Sequence, residues 1–152
     1  MSVIEIRLAE LGVTLPDAPA PAANYVPYVV SGDTVYISGQ ISAGPDGFIT
    51  GKVGADLDVA QAAAAAKSCA ISLIAQAKKA AGGDLDRLRL VKLVGFVNST
   101  PEFTDQPKVI NGASDFFVEV FGDKGRHARS AVSAGSLPFG VAVEIEAIFE
   151  LA

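Results

Sequence analysis

Val141-Ala142-Val143-Glu144-Ile145-Glu146-Ala147-Ile148-Phe149-Glu150 reads as a β-strand with two different faces. Successive side chains of a strand point to opposite sides of its sheet. Val141, Val143, Ile145, Ala147 and Phe149 therefore share one side, and Glu144, Glu146, Ile148 and Glu150 the other. A continuous apolar row needs a covering layer, here helices, which puts Glu144 on the side turned away from them. Just upstream, Gly125-Arg126-His127-Ala128-Arg129-Ser130-Ala131-Val132 opens another strand, about 128–136, joined to the last one through Leu137-Pro138-Phe139-Gly140. A guanidinium can grip a carboxylate with two parallel hydrogen bonds. Arg129 is thus a candidate anchor for a small acid, and Glu144 a candidate base acting on it.

The same alternation extends to the other strands. Val132 and Ala134 are expected under the helices, with Arg129, Ala131 and Ser133 facing away. Val35 and Ile37 are expected inside, with Thr34, Tyr36 and Ser38 outside. Val91, Leu93 and Val97 are expected inside, with Val94, Phe96 and Asn98 outside. Ser38, Asn98, Arg129 and Glu144 then share one helix-free surface. The last two strands read as a hairpin whose register is open. An offset of two positions would leave about 7 Å between Arg129 and Glu144, room for a small acid, whereas a slip of one residue would separate them. Tyr36, Val94, Phe96 and Ile148 on the same surface make a patch too apolar for water, and a partner subunit is the expected cover.

Working outward, residues 2–11 read as a short helix with Val3, Ile4, Leu8 and Leu11 on one stripe, stopped at Gly12. Residues 15–21 are rich in proline and alanine and should be extended. Residues 1–23 form a leader packed on a single domain spanning 1–152. Strands are expected at 25–31 and 34–38 around Ser31-Gly32-Asp33, with a short third one at Phe48–Val53. Asp58 and Gln61 resemble a capping box opening an alanine-rich helix that Gly82-Gly83 ends. Val59, Ala63, Ala66, Ala70, Leu73 and Ala77 are its expected buried stripe. A strand at 88–98 and a helix capped by Thr104 or Asp105, with Pro107 in its first turn, follow. The order β-β-(β)-α-β-α-β-β describes an α+β mixed sheet with two helices on one face.

Composition narrows the function. The chain has 152 residues, half of them hydrophobic, a net charge of −5 and one cysteine, Cys69. Nucleic acid is disfavoured as a partner, because phosphate binding needs a basic field. No apolar run approaches a membrane span. Glu5, Arg7 and Glu10 break any secretory signal, so a cytoplasmic location is expected. Cys69 is expected in the core. His127, the one histidine, offers neither a triad nor a metal cluster, and a structural or rim position is expected for it.

Tyr36-Ile37-Ser38-Gly39-Gln40, Ala128-Arg129-Ser130 leading to Leu137-Pro138, and Val143-Glu144-Ile145-Glu146-Ala147-Ile148 resemble the Rid (reactive intermediate deaminase, YjgF) family over residues 20–152. Thr50-Gly51-Lys52-Val53-Gly54, Phe96 to Pro107, Asn111-Gly112-Ala113-Ser114-Asp115 and Gly125 to Ser130 are similar to a longer subgroup, labelled endoribonuclease or chorismate-mutase-like. The resemblance implies a chorismate-mutase-like (YjgF-like) fold, a homotrimer with clefts between subunits, and hydrolysis of 2-imino acids to 2-keto acids and ammonia without metal or organic cofactor. It implies Arg129 as the substrate-carboxylate residue, Glu144 as the catalytic glutamate activating water, and Ser38 and Tyr25 at active-site positions. Ser38 could assist Glu144, backbone groups at Ser130 and Ala131 could orient the imine nitrogen, and Asn98 is a further candidate contact. Many deaminase members carry cysteine where this chain has Ala131, so chemistry needing a sulfur there is absent. The competing readings are a non-catalytic small-molecule-binding trimer and an endoribonuclease. A chorismate mutase rests on fold analogy alone.

Overall fold

The computed structural model describes residues 1–21 and 23–152; Ala22, inside the expected leader, lies outside the described residues. The first helix, α1 (Val3–Glu10), begins at Ser2, whose hydroxyl accepts from the Glu5 amide while the Glu5 carboxylate accepts from the Ser2 amide. The next free amides, Val3 and Ile4, donate to the Asp86 carboxylate at 3.0 and 3.1 Å. A negative charge at a helix N-terminus is favourable, so Asp86 fastens α1 to the domain. Ile4 and Leu8 enter the same buried core as the last strand. Val3, expected beside them, is exposed.

Strands β1 (Tyr28–Ser31) and β2 (Thr34–Ile41) form a hairpin. The expected strand at Phe48–Val53 is reduced to β4 (Gly47–Phe48), paired with β3 (Ala43–Gly44), plus single bridges at Thr50 and Val53. Gly51 and Gly54 adopt φ of 131° and 95°, which breaks the extended run. Helix α2 (Val59–Ala80) starts with the Asp58–Gln61 capping box. Its buried face, which includes Ala62, Ala66, Cys69, Leu73, Ile74 and Ala77, is rotated from the expected stripe: Val59 and Ala63 are only half-buried. Strand β5 (Leu88–Asn98) and helix α3 (Gln106–Phe121) follow, α3 opening with Pro107 and with no side-chain cap from Asp105. Val91, expected inside, is exposed at a register shift, and Leu90 is buried instead. No helix among the described residues is long and apolar enough to cross a membrane.

The last two strands, β6 (Ala128–Ala134) and β7 (Val143–Leu151), do not form a hairpin. The sheet order is β1-β2-β7-β5-β6, with β7 antiparallel to both β2 and β5, and β6 parallel to β5 at the edge. Composition explains the separation. Val143, Ile145, Ala147 and Phe149 are almost fully buried and need neighbours on both sides. The Ala-Ser-Arg composition of β6 suits an edge, and the β5-α3-β6 crossover allows parallel pairing.

The structure corrects the facing of β6. Leu93, Gly95 and Val97 pair with Arg129, Ala131 and Ser133, and paired residues share a face. Leu93 and Val97 are fully buried under the helices, so Arg129 and Ala131 face α3, and Val132 is exposed on the opposite side. Space on the helix side is tight. Ile110 of α3 fills the room over Gly95, where a Cβ would lie 2.5 Å from its Cδ1. Ala131, the partner of Gly95, packs against the same core. Glu144 pairs with Phe96 and Ile41 and keeps the expected helix-free facing. Three residue steps and two strands separate Arg129 from Glu144, roughly 14 Å through the sheet. Within one chain they do not form one site.

Candidate functional site

Glu144 lies on β7 beside a β-bulge in β2. Ile37 pairs with Ala147 and Gln40 with Ile145, leaving Ser38 and Gly39 opposite Glu146 alone. The bulge brings Gly39 against the Glu144 carboxylate, where any Cβ would collide with Oε2. β1 covers only Thr34–Ile37, so the second half of β2 has no outer strand. A cavity of about 550 Å³ sits there, lined by Gly39, Ile41, Glu144, Phe48, Phe139 and Tyr25 and closed by Pro19–Pro21 of the leader. Burial, followed by the like charge of Glu146, raises the Glu144 carboxyl above its ordinary 4.5. A carboxyl so shifted is a better base once ionised. Phe139 adopts φ 59°, rare for an aromatic residue, and stacks on Phe48 at 5.2 Å between centroids.

Ser38 donates its hydroxyl proton to the Val26 carbonyl at 2.8 Å, and its amide donates to Pro27. These bonds pin the Tyr25–Pro27 segment at the cavity, with Tyr25 half-exposed on its wall. Asn98 does not reach this surface. It is 5% exposed, and its amide donates to the Gly51 and Val141 carbonyls, holding the 50–53 loop on the sheet. Cys69 is in the core, donating to the Val143 carbonyl, and burial pushes its thiol upward. A nucleophilic thiolate is thereby disfavoured.

Arg129 stands at the edge of the sheet. Nη1 donates to Ser114 Oγ at 3.1 Å and Nη2 to the Pro107 carbonyl at 3.3 Å. Ser114 Oγ lies 2.8 Å from His127 Nε2, and His127 Nδ1 lies 2.6 Å from the Gly125 carbonyl. A carbonyl only accepts, so Nδ1 carries a proton, and in the neutral ring Nε2 accepts from Ser114. The Ser114 oxygen is then free to accept from Arg129, giving a one-directional chain that orients the guanidinium. Among the described residues no carboxylate lies within ion-pair distance of Arg129, and the guanidinium opens on a depression of about 230 Å³. Ser130 is exposed on the opposite face, while Ala131 packs on the core. Sequence reading placed His127 as structural or rim and gave Ser114 no role. Their linkage depends on the α3–β6 contact, which no local pattern encodes.

The match to known proteins agrees with this architecture. The family described as YjgF/chorismate-mutase-like, with endoribonuclease as its provisional activity, matches residues 5–150. The chain belongs to the Rid (YjgF) family. It is 51% identical to Protein TCP17 of Trypanosoma cruzi, over 97% of this chain and 94% of that one. The solved structure of Atu1372 from Agrobacterium tumefaciens is 51% identical, covers 99% of this chain and 94% of its own, and superposes with a TM-score of 0.91. A candidate endoribonuclease from Shewanella oneidensis is 33% identical over 97% and 99% of the two chains, with a TM-score of 0.93. The fold is thus the YjgF-like, chorismate-mutase-like α+β fold.

The electrostatics of this Rid-family site make a direct prediction. Glu146→Gln removes the like charge beside Glu144 while leaving its burial. If Glu144 is the base, the acid limb of kcat/KM against pH moves to lower pH in that variant, and raised salt moves the wild-type limb the same way. An unmoved limb would assign it to another group.

Proposed function

We propose that the protein hydrolyses 2-imino acids to 2-keto acids and ammonia at a seam between protomers of a homotrimer, one chain supplying Glu144 and the next Arg129. The carrying observation is a mismatch inside the single chain: among the described residues, a carboxyl of raised pKa lies in a cavity lined by no cation, and an oriented guanidinium at an open strand edge has no carboxylate partner. The half-exposed apolar side chains Val94, Phe96 and Ile148, and exposed Tyr36, support burial of the helix-free face by a second copy.

Arg129 holds the substrate carboxylate. Glu144 takes a proton from water as the water oxygen bonds to the carbon of the protonated imine (iminium), leaving a carbinolamine. It returns that proton to the amino nitrogen, the carbon–nitrogen bond breaks with ammonia as the leaving group, and loss of the hydroxyl proton to solvent leaves the keto acid. Imines are reactive enough for positioning and one base to suffice. The net charge of −5 gives RNA no basic field, which ranks the nuclease reading below this one.

Subunit complementation tests the seam. Arg129→Ala and Glu144→Gln are each expected to be inactive toward an imine released by a dehydratase. Unfolded together and refolded, they should restore roughly a quarter of the wild-type sites, since random mixing pairs an intact Glu144 with a neighbour's intact Arg129 at that frequency. If the mixture stays at the level of the separate variants, the two groups do not meet across a seam.

A further inference from the structure

The cavity around Glu144 is larger and drier than a three-carbon acid requires. Its lining is mostly apolar, with Pro19–Pro21, Ile41, Phe48 and Phe139 on its walls and Tyr25, Gln40 and Ser72 as the polar side chains besides Glu144. A volume of about 550 Å³ lies in the range of pockets that enclose ligands far larger than pyruvate. Four of its lining residues, Pro19, Ala20, Pro21 and Ala23, come from the leader, a segment outside the sheet-and-helix framework.

That segment is held by a dedicated contact. Gln76 is 1% exposed on α2, among Leu73, Ile74 and Ala77. Its Nε2 donates to the Pro19 carbonyl at 2.7 Å, while its buried Oε1 has no partner among the described residues. An unpaired buried oxygen is destabilising, and an apolar residue here would avoid that cost. Among the described residues, the amide donor to the leader is the one polar contact the Gln76 side chain makes. α1, tied by Asp86 and by Glu5 to Lys78 at 2.7 Å, fixes the other end of the leader. The leader is therefore a tethered wall.

Building on the reaction proposed above, we propose that the leader forms a side-chain subsite selecting 2-imino acids with extended apolar side chains, branched or aromatic, over those derived from alanine or serine. The substrate carboxylate sits at Arg129, its C2 faces Glu144, and its side chain lies along Pro19–Pro21 and the Phe48–Phe139 pair. Each buried methylene is worth about 4-fold in binding. The leucine-derived imine is accordingly expected to exceed the alanine-derived one by 10- to 100-fold in kcat/KM, on the order set by apolar pockets.

The test uses imines made in situ by an amino acid oxidase with catalase, from alanine, leucine, methionine and phenylalanine. Calorimetric titration of pyruvate and 2-oxo-4-methylpentanoate accompanies it. Two variants probe the wall. Gln76→Leu removes the tether and places an apolar side chain of similar size on α2. Ala20→Trp fills the cavity from an exposed position, so folding is not at stake. A 10-fold or greater preference for the large imine, reduced at least about 5-fold by either variant, supports the subsite. Equal turnover of all four imines overturns the subsite and leaves imine hydrolysis standing. Size-graded keto-acid binding that Ala20→Trp abolishes, without turnover of any imine, sustains the subsite and overturns the hydrolase. Neither graded binding nor graded turnover overturns the subsite.

Discussion

Glu144→Gln is expected to lower imine turnover by roughly 10²- to 10⁴-fold, the range for loss of a positioned general base. The substitution keeps the shape of the side chain beside Gly39 and removes only its ability to take a proton. Loss of fold does not explain the effect, because the linkage runs the other way. The carboxyl is raised in the folded chain above its ordinary 4.5, so ionisation is harder there than in the unfolded chain. Its contribution to stability is most favourable below about 4.5 and declines as pH rises through the raised folded value. A glutamine, neutral at every pH, should melt no lower than wild type at pH 7 and no longer show that decline. Binding of the keto-acid product, carried by the Arg129 guanidinium, should survive. Turnover within 3-fold of wild type would remove Glu144 from the chemistry.

Gly112→Ala is expected to destabilise the fold by about 2–3 kcal/mol, lowering the melting temperature by roughly 4–12 °C for a chain of this size. Two effects oppose each other. Alanine is favoured over glycine in a helix interior by about 1 kcal/mol. Against that, a Cβ at position 112 would collide with the backbone carbonyl of Ala63 on α2. A rigid main chain cannot rotate aside, so α3 must lift from α2. The steric term wins, and a lower urea midpoint at unchanged slope checks it. The displacement also reaches the site, since α3 carries Ser114 and thus the orientation of Arg129. Loss of keto-acid affinity should accompany the loss of stability. Stability equal to wild type would show that the two helices are not locked by this contact.

Much of the scaffold was legible in the sequence because its signals are local. The Asp58–Gln61 box, the Gly122 stop and the strand at 88–98 depend on residues a few positions apart, and the structure has all three. Glu144 faced as expected because β7 carries an unambiguous apolar row. β6 was misread because Ala128 to Ala134 contains one large apolar residue, Val132, and that residue lies outside. With so weak an alternation, the facing follows from the parallel register with β5, which sets Arg129 and Ala131 beside Leu93 and Gly95. Asn98 was misassigned because its parity was right but the 50–53 loop covers it.

By itself the sequence determined the α+β element order, the Rid-family motifs and the separate identities of a carboxylate and a guanidinium suited to acid–base and anion chemistry. Those follow from side-chain chemistry and from periodicities of two and 3.6 residues. Only the tertiary structure decided that β7 lies between β2 and β5, that Arg129 turns toward α3, and that the leader walls the Glu144 cavity. Pairing partners, the space under a helix and the path of an extended segment are settled by packing between residues distant in sequence, where the local pattern carries no information.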